Sequence, residues 1–462
     1  MNKPVSMYKR KPGHEQPYWA LGQYKIRIPF VHFKLELPEI IQGIVLFTVG
    51  LSMIEIMTSV MGISYEAALT ITILNQFLML LPSIMGVPFV GGFITALIPV
   101  LILFLEGYEP GTEAIQAVIA VQIMLAVIFL LFGKTGLGEI LVKTLPASLK
   151  AGILIGAGIT AIMAEIQPGG RLTETPVAIT IGTLLCFYMM FSLSFKALSK
   201  RKKLVGRIAS FGIIPAIFIA IFIGWAVGEY PTPNVEWGIT TPSFGAVWDI
   251  TPFVIGFPTI EMFIGAIPIA ILAYVIAYGD IIVGDKLIER VKQFRPDEKI
   301  EYTFKQVHMV TFFRSVLNAL FVPHPGMAGP IFTAGTATVA ERYTNGRTSM
   351  DSIFSGMNSL SIAFSIGIFL LPVVTFFQPF LPIALALTLI LTGYLCITVG
   401  MQQIKTETEM GVAGVMAIVL AIYGAAPGLV VGILLYFLIQ RSRQKQDGPK
   451  QQESEDEKKK IS

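Results

Sequence analysis

Apolar runs of about 20 residues recur along almost the whole of this 462-residue chain, and they constrain its fold more than any other feature. A run of that length, wound as a helix, crosses about 30 Å of hydrocarbon. No water reaches the backbone there, so a spanning segment must satisfy its own amides, and runs this long do so as helices. Only 14% of the residues are charged and 54% are hydrophobic, whereas a soluble domain carries roughly 25% charged residues. The pattern excludes a soluble enzyme and predicts an all-α polytopic membrane protein whose immediate partner is the lipid bilayer. Enzyme motifs fail on inspection. Gly133-Lys134-Thr135 ends like a phosphate loop, but Ile128 stands where the upstream glycine is required. Cys186 and Cys396 lie far apart inside apolar runs and read as packing residues. No catalytic residue, metal site, cofactor or nucleic-acid partner is expected.

Fourteen spans follow: 39–61, 64–84, 87–106, 114–133, 145–165, 176–196, 208–228, 258–284, 304–322, 329–343, 351–372, 375–400, 407–424 and 426–441. Basic loops test the count, because Lys and Arg concentrate on the cytoplasmic side. The 196–207 and 285–305 loops carry six basic residues each and fall on the same side as both basic tails, while the opposite side, including the long loop 229–257, carries only Arg171. Both termini are therefore predicted to be cytoplasmic, in a cell (inner or plasma) membrane. Residues 1–37 hold Lys9-Arg10-Lys11 and Tyr24-Lys25-Ile26-Arg27, have no apolar signal region, and read as a solvated basic leader with interfacial anchors. Residues 442–462 read as a disordered tail.

Two spans are broken. Gly86-Val87-Pro88-Phe89-Val90-Gly91-Gly92-Phe93-Ile94-Thr95-Ala96 opens the third, and Pro323-His324-Pro325-Gly326-Met327-Ala328-Gly329-Pro330-Ile331-Phe332-Thr333-Ala334 opens the tenth. Proline removes a donor and glycine weakens a helix, so each segment should enter extended and turn helical afterwards. Each is the third span of a seven-span half. An odd number per half inserts the second half upside down, as in an inverted repeat with its binding site at the paired breaks.

Phe313-Arg314-Ser315, Asn318, Phe321, Pro325, Thr333 and Glu341-Arg342-Tyr343, followed by Gly346-Arg347-Thr348, resemble the span 9–10 signature of nucleobase/ascorbate permeases. They are also similar to the purine-permease branch and, more distantly, to sulfate permeases. Leu145-Pro146-Ala147-Ser148-Leu149-Lys150 and Gly279-Asp280 resemble the purine branch. The resemblance implies the uracil-permease fold. Its core domain would comprise residues 38–133 (spans 1–4) and 258–373 (spans 8–11). Its gate domain would comprise 134–228 (spans 5–7) and 374–441 (spans 12–14). It also implies a substrate held between spans 3, 8 and 10, proton or sodium coupling, and a homodimer. Those permeases place one glutamate in span 8, which falls near Tyr278 or Asp280, and another where this chain has Thr333.

Asp280, in the apolar run Ala273–Val283, is an ionisable group of the kind that marks a site in a membrane span, and suits proton coupling. Glu55 lies inside span 1, the symmetry mate of span 8, and is expected to share a cavity with Asp280. Phe93, Thr95, Phe332 and Thr333 stand at the starts of the half-helices, where free amides and the positive dipole end attract an oxyanion or carbonyl and a ring can stack. His324 reads as structural, and Asn75, Gln76, Arg314 and Asn318 as interhelical hydrogen-bonding groups. The resulting expectation is a secondary active transporter for a small planar or anionic solute, nucleobase-like first. An inorganic-anion or carboxylate carrier of the sulfate-permease type is the alternative, and a channel or non-transporting sensor the reading from another class.

Overall fold

A computed structural model describes residues 10–209 and 213–440 of the chain. The tail 442–462, expected to be disordered, lies outside the described residues. The helices are α1 (Leu37–Ser59), α2 (Tyr65–Leu78), α3 (Ile98–Leu105, entered through a 3-10 turn at Thr95–Leu97), α4 (Thr112–Thr135), α5 (Ala147–Ile166), α6 (Pro176–Phe191) and α7 (Ile214–Ala226). After a long loop come α8 (Ile260–Lys292), α9 (Phe304–Phe321), α10 (Thr333–Tyr343), α11 (Ile353–Gly367), α12 (Leu381–Gln403), α13 (Glu407–Tyr423) and α14 (Ala425–Leu435). Their starts follow local chemistry. Ser64 and Thr259 cap α2 and α8, and reciprocal boxes of Thr303 with Gln306, Ser352 with Ser355, and Thr406 with Glu409 open α9, α11 and α13.

Among the described residues, Tyr65–Ile84, Thr112–Thr135, Ala147–Glu174, Ile260–Lys292 and Leu371–Gln403 are long and apolar enough to cross a bilayer. Pro176–Phe191 and Leu193–Ser199 qualify together but bend by 64°. The chain is a mostly helical, multi-pass membrane protein.

Packing sorts the helices into two sets. In one, α4 lies against α8 and α9, α1 against α2 and α11, and α10 against α8 and α11. In the other, α5 lies against α12, α13 and α14, and α6 against α7 and α12. Close approach in the second set depends on bare backbone. A Cβ on Gly158 of α5 would sit 2.5 Å from the Gly393 carbonyl, and one on Gly393 of α12 would sit 2.7 Å from the Gly158 carbonyl.

The N-terminal segment departs from the expected solvated leader. It forms a hairpin of β1 (Trp19–Leu21) and β2 (Tyr24–Ile26) and folds onto the first set. Arg10, fully buried, donates to the Asp297 carboxylate (2.8 Å), to Gln16 Oε1 (2.7 Å) and to the Asp351 carbonyl (3.0 Å). The Arg27 guanidinium lies 3.8 Å from the Phe354 ring, and burial lowers its pKa to about 10. Glu298, also buried, accepts from Ser352 (2.6 Å), Tyr343 (3.0 Å) and the Ile353 amide (3.1 Å). All of these partners but Gln16 lie hundreds of residues from the N-terminus, so nothing in the local composition announces them.

Asp297 sits between Arg295 and Arg10, and the Arg295 guanidinium holds its carboxyl down at about 2. A carboxyl depressed on folding contributes stability above its ordinary value near ~4 and loses that contribution as pH falls through the folded value. Asp297→Asn should therefore unfold at a lower temperature than the parent at pH 7, with the gap closing as pH falls toward about 2. Thermal unfolding of the detergent-purified protein across pH checks this.

Candidate functional site

The site is built where two extended segments cross. β3 (Gly92–Phe93) and β4 (Ala328–Gly329) pair antiparallel, with Gly92 opposite Gly329 and Phe93 opposite Ala328. Flanking bonds extend the ladder: Ile94 N–H to the Gly326 carbonyl (3.0 Å) and Phe332 N–H to the Val90 carbonyl (2.6 Å). The Val90 amide donates to Thr336 Oγ1 of α10 at 3.1 Å. Glycine is required at the crossing. A Cβ on Gly92 would lie 2.7 Å from both the Ile331 carbonyl oxygen and the Phe332 nitrogen, and one on Gly329 would lie 2.6 Å from the Phe93 carbonyl carbon.

Arg314 of α9, with no exposed surface, ties the two segments together. Its guanidinium donates to the Gly329 carbonyl (2.5 Å) and to the Gly92 carbonyl (3.1 Å). Among the described residues no carboxylate pairs with it, and its Nε has no partner. Its positive charge is therefore answered by carbonyl dipoles alone. Around it lie Asn318, whose amide donates to Asn75 (3.4 Å), and Gln122, whose amide donates to the His324 carbonyl (2.9 Å). His324 is buried, accepts from the Gly326 amide at Nδ1 (3.0 Å), and stacks on Phe93 with ring centres 4.9 Å apart.

From the crossing the chain turns helical in both directions. Thr95 begins the 3-10 turn into α3 and Thr333 begins α10. The first amides of a helix have no acceptor within it, so two positive helix ends are presented beside each other. Thr95 and Ala334 are exposed, and Phe93, Phe332 and Thr333 are half-buried. Phe332 lies over Gly335 and toward Phe364 (6.1 Å between ring centres), while Phe93 lies on His324. The two rings thus have separate partners.

Helix α8 supplies the acid. Gly284 faces Ile331 and Phe89, so Asp280, one turn earlier on the same face, lies beside the crossing. The Asp280 carboxyl is half-buried, and among the described residues it has neither hydrogen bond nor ion pair; Gly279 beside it is exposed with open space around its Cα. It is within electrostatic reach of Cys396 on α12, so this face of α8 looks toward the second helix set. Helices α5 and α12 also reach the Thr95–Leu97 turn.

The structure brings Phe93, Thr95, Phe332, Thr333 and Asp280 to this one region. It places Tyr278 elsewhere, on the opposite side of α8, buried against Tyr274, Phe304 and His308. Glu55 does not share a cavity with Asp280. It lies toward the C-terminal end of α1, in the field of Arg171 and Glu174. Arg314's clamp and the Thr336 bond escaped sequence reasoning. An arginine with no acid at helical spacing was the available signal for the first.

The model of a permease family, the xanthine/uracil permeases, matches residues 64–325. No curated protein matches the sequence. Among solved structures, the chain resembles the transmembrane domain of a cyanobacterial bicarbonate transporter, BicA, with a TM-score of 0.53 and 15% identity, covering 86% of this chain and 96% of that one. It also resembles the murine solute carrier 26 member A9 anion transporter in its inward-facing state, with a TM-score of 0.54 and 14% identity, covering 92% of this chain and 70% of that one. At such identities the likeness is one of fold.

Removing the clamp should be costly. Arg314→Met leaves two buried carbonyls without this donor, at about 1–3 kcal/mol each, and should lower the melting temperature more than Arg314→Lys, which keeps one donor group. Gly92→Ala forces the crossing apart and should cost about 1–3 kcal/mol by overpacking. Thermal unfolding of the purified variants measures both.

Proposed function

Because this chain belongs to the permease family and is a membrane transporter rather than an enzyme, we propose that it is a proton-coupled secondary carrier of a small anion, a bicarbonate-sized oxyanion or carboxylate. The observation that carries this reading is the crossing itself. Two helix starts and the unpaired charge of Arg314 converge there, and Thr333 stands where a carboxylate would repel an anion.

Asp280 supplies the coupling in this proposal. Ionised, it repels an anion held at the helix starts. Protonated, it is neutral, and the anion meets only positive dipole ends and the threonine hydroxyls. Proton and anion then load together, and loss of the proton expels the anion. Sodium beside Asp280 would serve the same electrostatic purpose. The half-buried Phe93 and Phe332 favour a second reading, a planar nucleobase-like solute stacked at the same place.

The finer architecture belongs to the same proposal. The helices α1–α14 are read as fourteen spans in a 7+7 inverted repeat, with both termini cytoplasmic. The set containing α4, α8 and α9 serves as core and the set containing α5, α12 and α13 as gate, in a homodimer. Support comes from the way packing divides the helices and from the placement of the crossing between α3 and α10. Transport would proceed by movement of core against gate with the solute at the crossing.

Vesicle uptake tests the reading. Labelled bicarbonate should accumulate on an imposed proton gradient and uracil should not. Asp280→Asn should reduce gradient-driven uptake by at least roughly tenfold while leaving the melting temperature near that of the parent. Uptake of uracil alone would transfer the site to the second reading, and flux indifferent to any gradient would indicate a channel.

A further inference from the structure

The long loop between α7 and α8 carries a surface unsuited to water. Residues 237–260 contain a single charged side chain, Asp249. Two short helical turns, Phe244–Trp248 and Pro252–Ile255, lie within this stretch. The first packs on α2 and the second on α4 and α9, all members of the first helix set. The Ser243 amide donates to Thr70 Oγ1 (2.8 Å), and the Gln116 side chain donates to the Ile255 and Gly256 carbonyls (3.0 and 3.2 Å). Val247, Thr251 and Pro252 are buried underneath. One face of the loop is thus fastened to the protein.

The opposite face is aromatic. Trp248, Phe253 and Phe257 are each about half exposed. Trp248 is stacked with Phe253 (5.9 Å between ring centres), and Phe253 stands edge-on to Phe257 (6.0 Å). Phe253 also lies 5.8 Å from Phe321, the exposed last residue of α9. In sequence the face continues directly into α8, where Ile260, Ile264 and Ile267 are exposed at helical spacing. Because α8 is long and apolar enough to cross the bilayer, this outward stripe of isoleucines meets lipid.

The loop backbone is satisfied from within, as a place poor in water demands. The amides of Val247, Asp249, Ile250, Thr251, Val254 and Ile255 all donate to carbonyls of the same stretch. Large rings over an internally bonded backbone, with one exposed carboxylate at the edge, match the chemistry of a membrane–water boundary.

We propose that residues 244–257 form a phospholipid-binding surface that lies on the bilayer at this end of α8. The rings of Trp248, Phe253 and Phe257 enter the boundary between headgroups and acyl chains, about 5–10 Å deep, while Asp249 stays in water. Since the other face is bonded to α2 and α4, the segment ties the depth of the first helix set to the headgroup plane. The inference depends on neither the solute nor the coupling ion.

Tryptophan fluorescence of the full chain in phosphatidylcholine vesicles tests it, using lipid that carries bromine near the ester end of its acyl chains. The difference between wild type and Trp248→Phe isolates the emission of Trp248. Replacing ordinary lipid by the brominated lipid should remove most of that emission. Emission left unchanged by bromine would overturn the proposal, and iodide added to the water then tells why. Quenching by iodide would place the loop in water, and quenching by neither would mean that a second copy or another protein surface covers the rings. Should Trp248→Phe fail to elute as folded protein, Phe257→Trp carries the test by adding a reporter to the same face. The emission it adds should likewise be lost to bromine.

Discussion

Extended backbone at membrane depth must find partners inside the protein, and here it finds them in the opposite half of the chain. Residues 90–94 and 326–332 satisfy one another strand to strand, and Arg314 caps the two glycine carbonyls left at the centre. The rest of the structure depends on this exchange. Without it, two interrupted spans would carry unsatisfied amides into hydrocarbon at several kcal/mol per group. With it, two helices can begin in the middle of the molecule and offer their free ends to a solute.

The same economy explains the electrostatics of the site. The ladder and the arginine consume the carbonyls, so what remains open is donor-rich: helix amides, the Thr95 and Thr333 hydroxyls, and the field of a buried cation. Asp280 is the opposing charge, set one turn from the crossing on a helix that also contacts the second set. In the proton-coupled reading proposed above, solute and proton would meet at a boundary between two packed bodies. That is where relative movement would change both at once.

Elsewhere the chain keeps its charges in closed networks near helix ends. Arg10, Arg295, Asp297, Glu298 and Asp351 join the N-terminal segment to the loops after α8 and α10. Arg342 pairs with Glu39 at the start of α1. These groups hold the first helix set at one end, while the Glu165–Arg171 pair sits at the other. Burial of the ions around Arg10 and Arg295 is tolerable because that network supplies several hydrogen bonds per charge.

Much of this was legible in the sequence, for a physical reason. Hydrophobic length sets the helices, Gly and Pro interrupt them, and two interruptions at corresponding positions mark the segments that cross. Phe93, Thr95, Phe332, Thr333 and Asp280 can be singled out from the sequence, and the fold brings them to one region, because their signal is local: a break, a helix start, a carboxyl in an apolar run. What the sequence did not contain was direction around a helix axis and contact across hundreds of residues. Tyr278 and Asp280 differ by two positions yet face opposite sides of α8, and Glu55 was assigned by symmetry to a cavity it does not reach. The N-terminal segment reads as a soluble leader because its partners, Asp297, Glu298, Asp351 and Phe354, are remote in the chain. Composition and periodicity determined that this protein lies in a membrane as broken and unbroken helices. Only tertiary packing decided which charges answer one another, because a buried ion takes its partner from whatever the fold brings within about 3 Å of it.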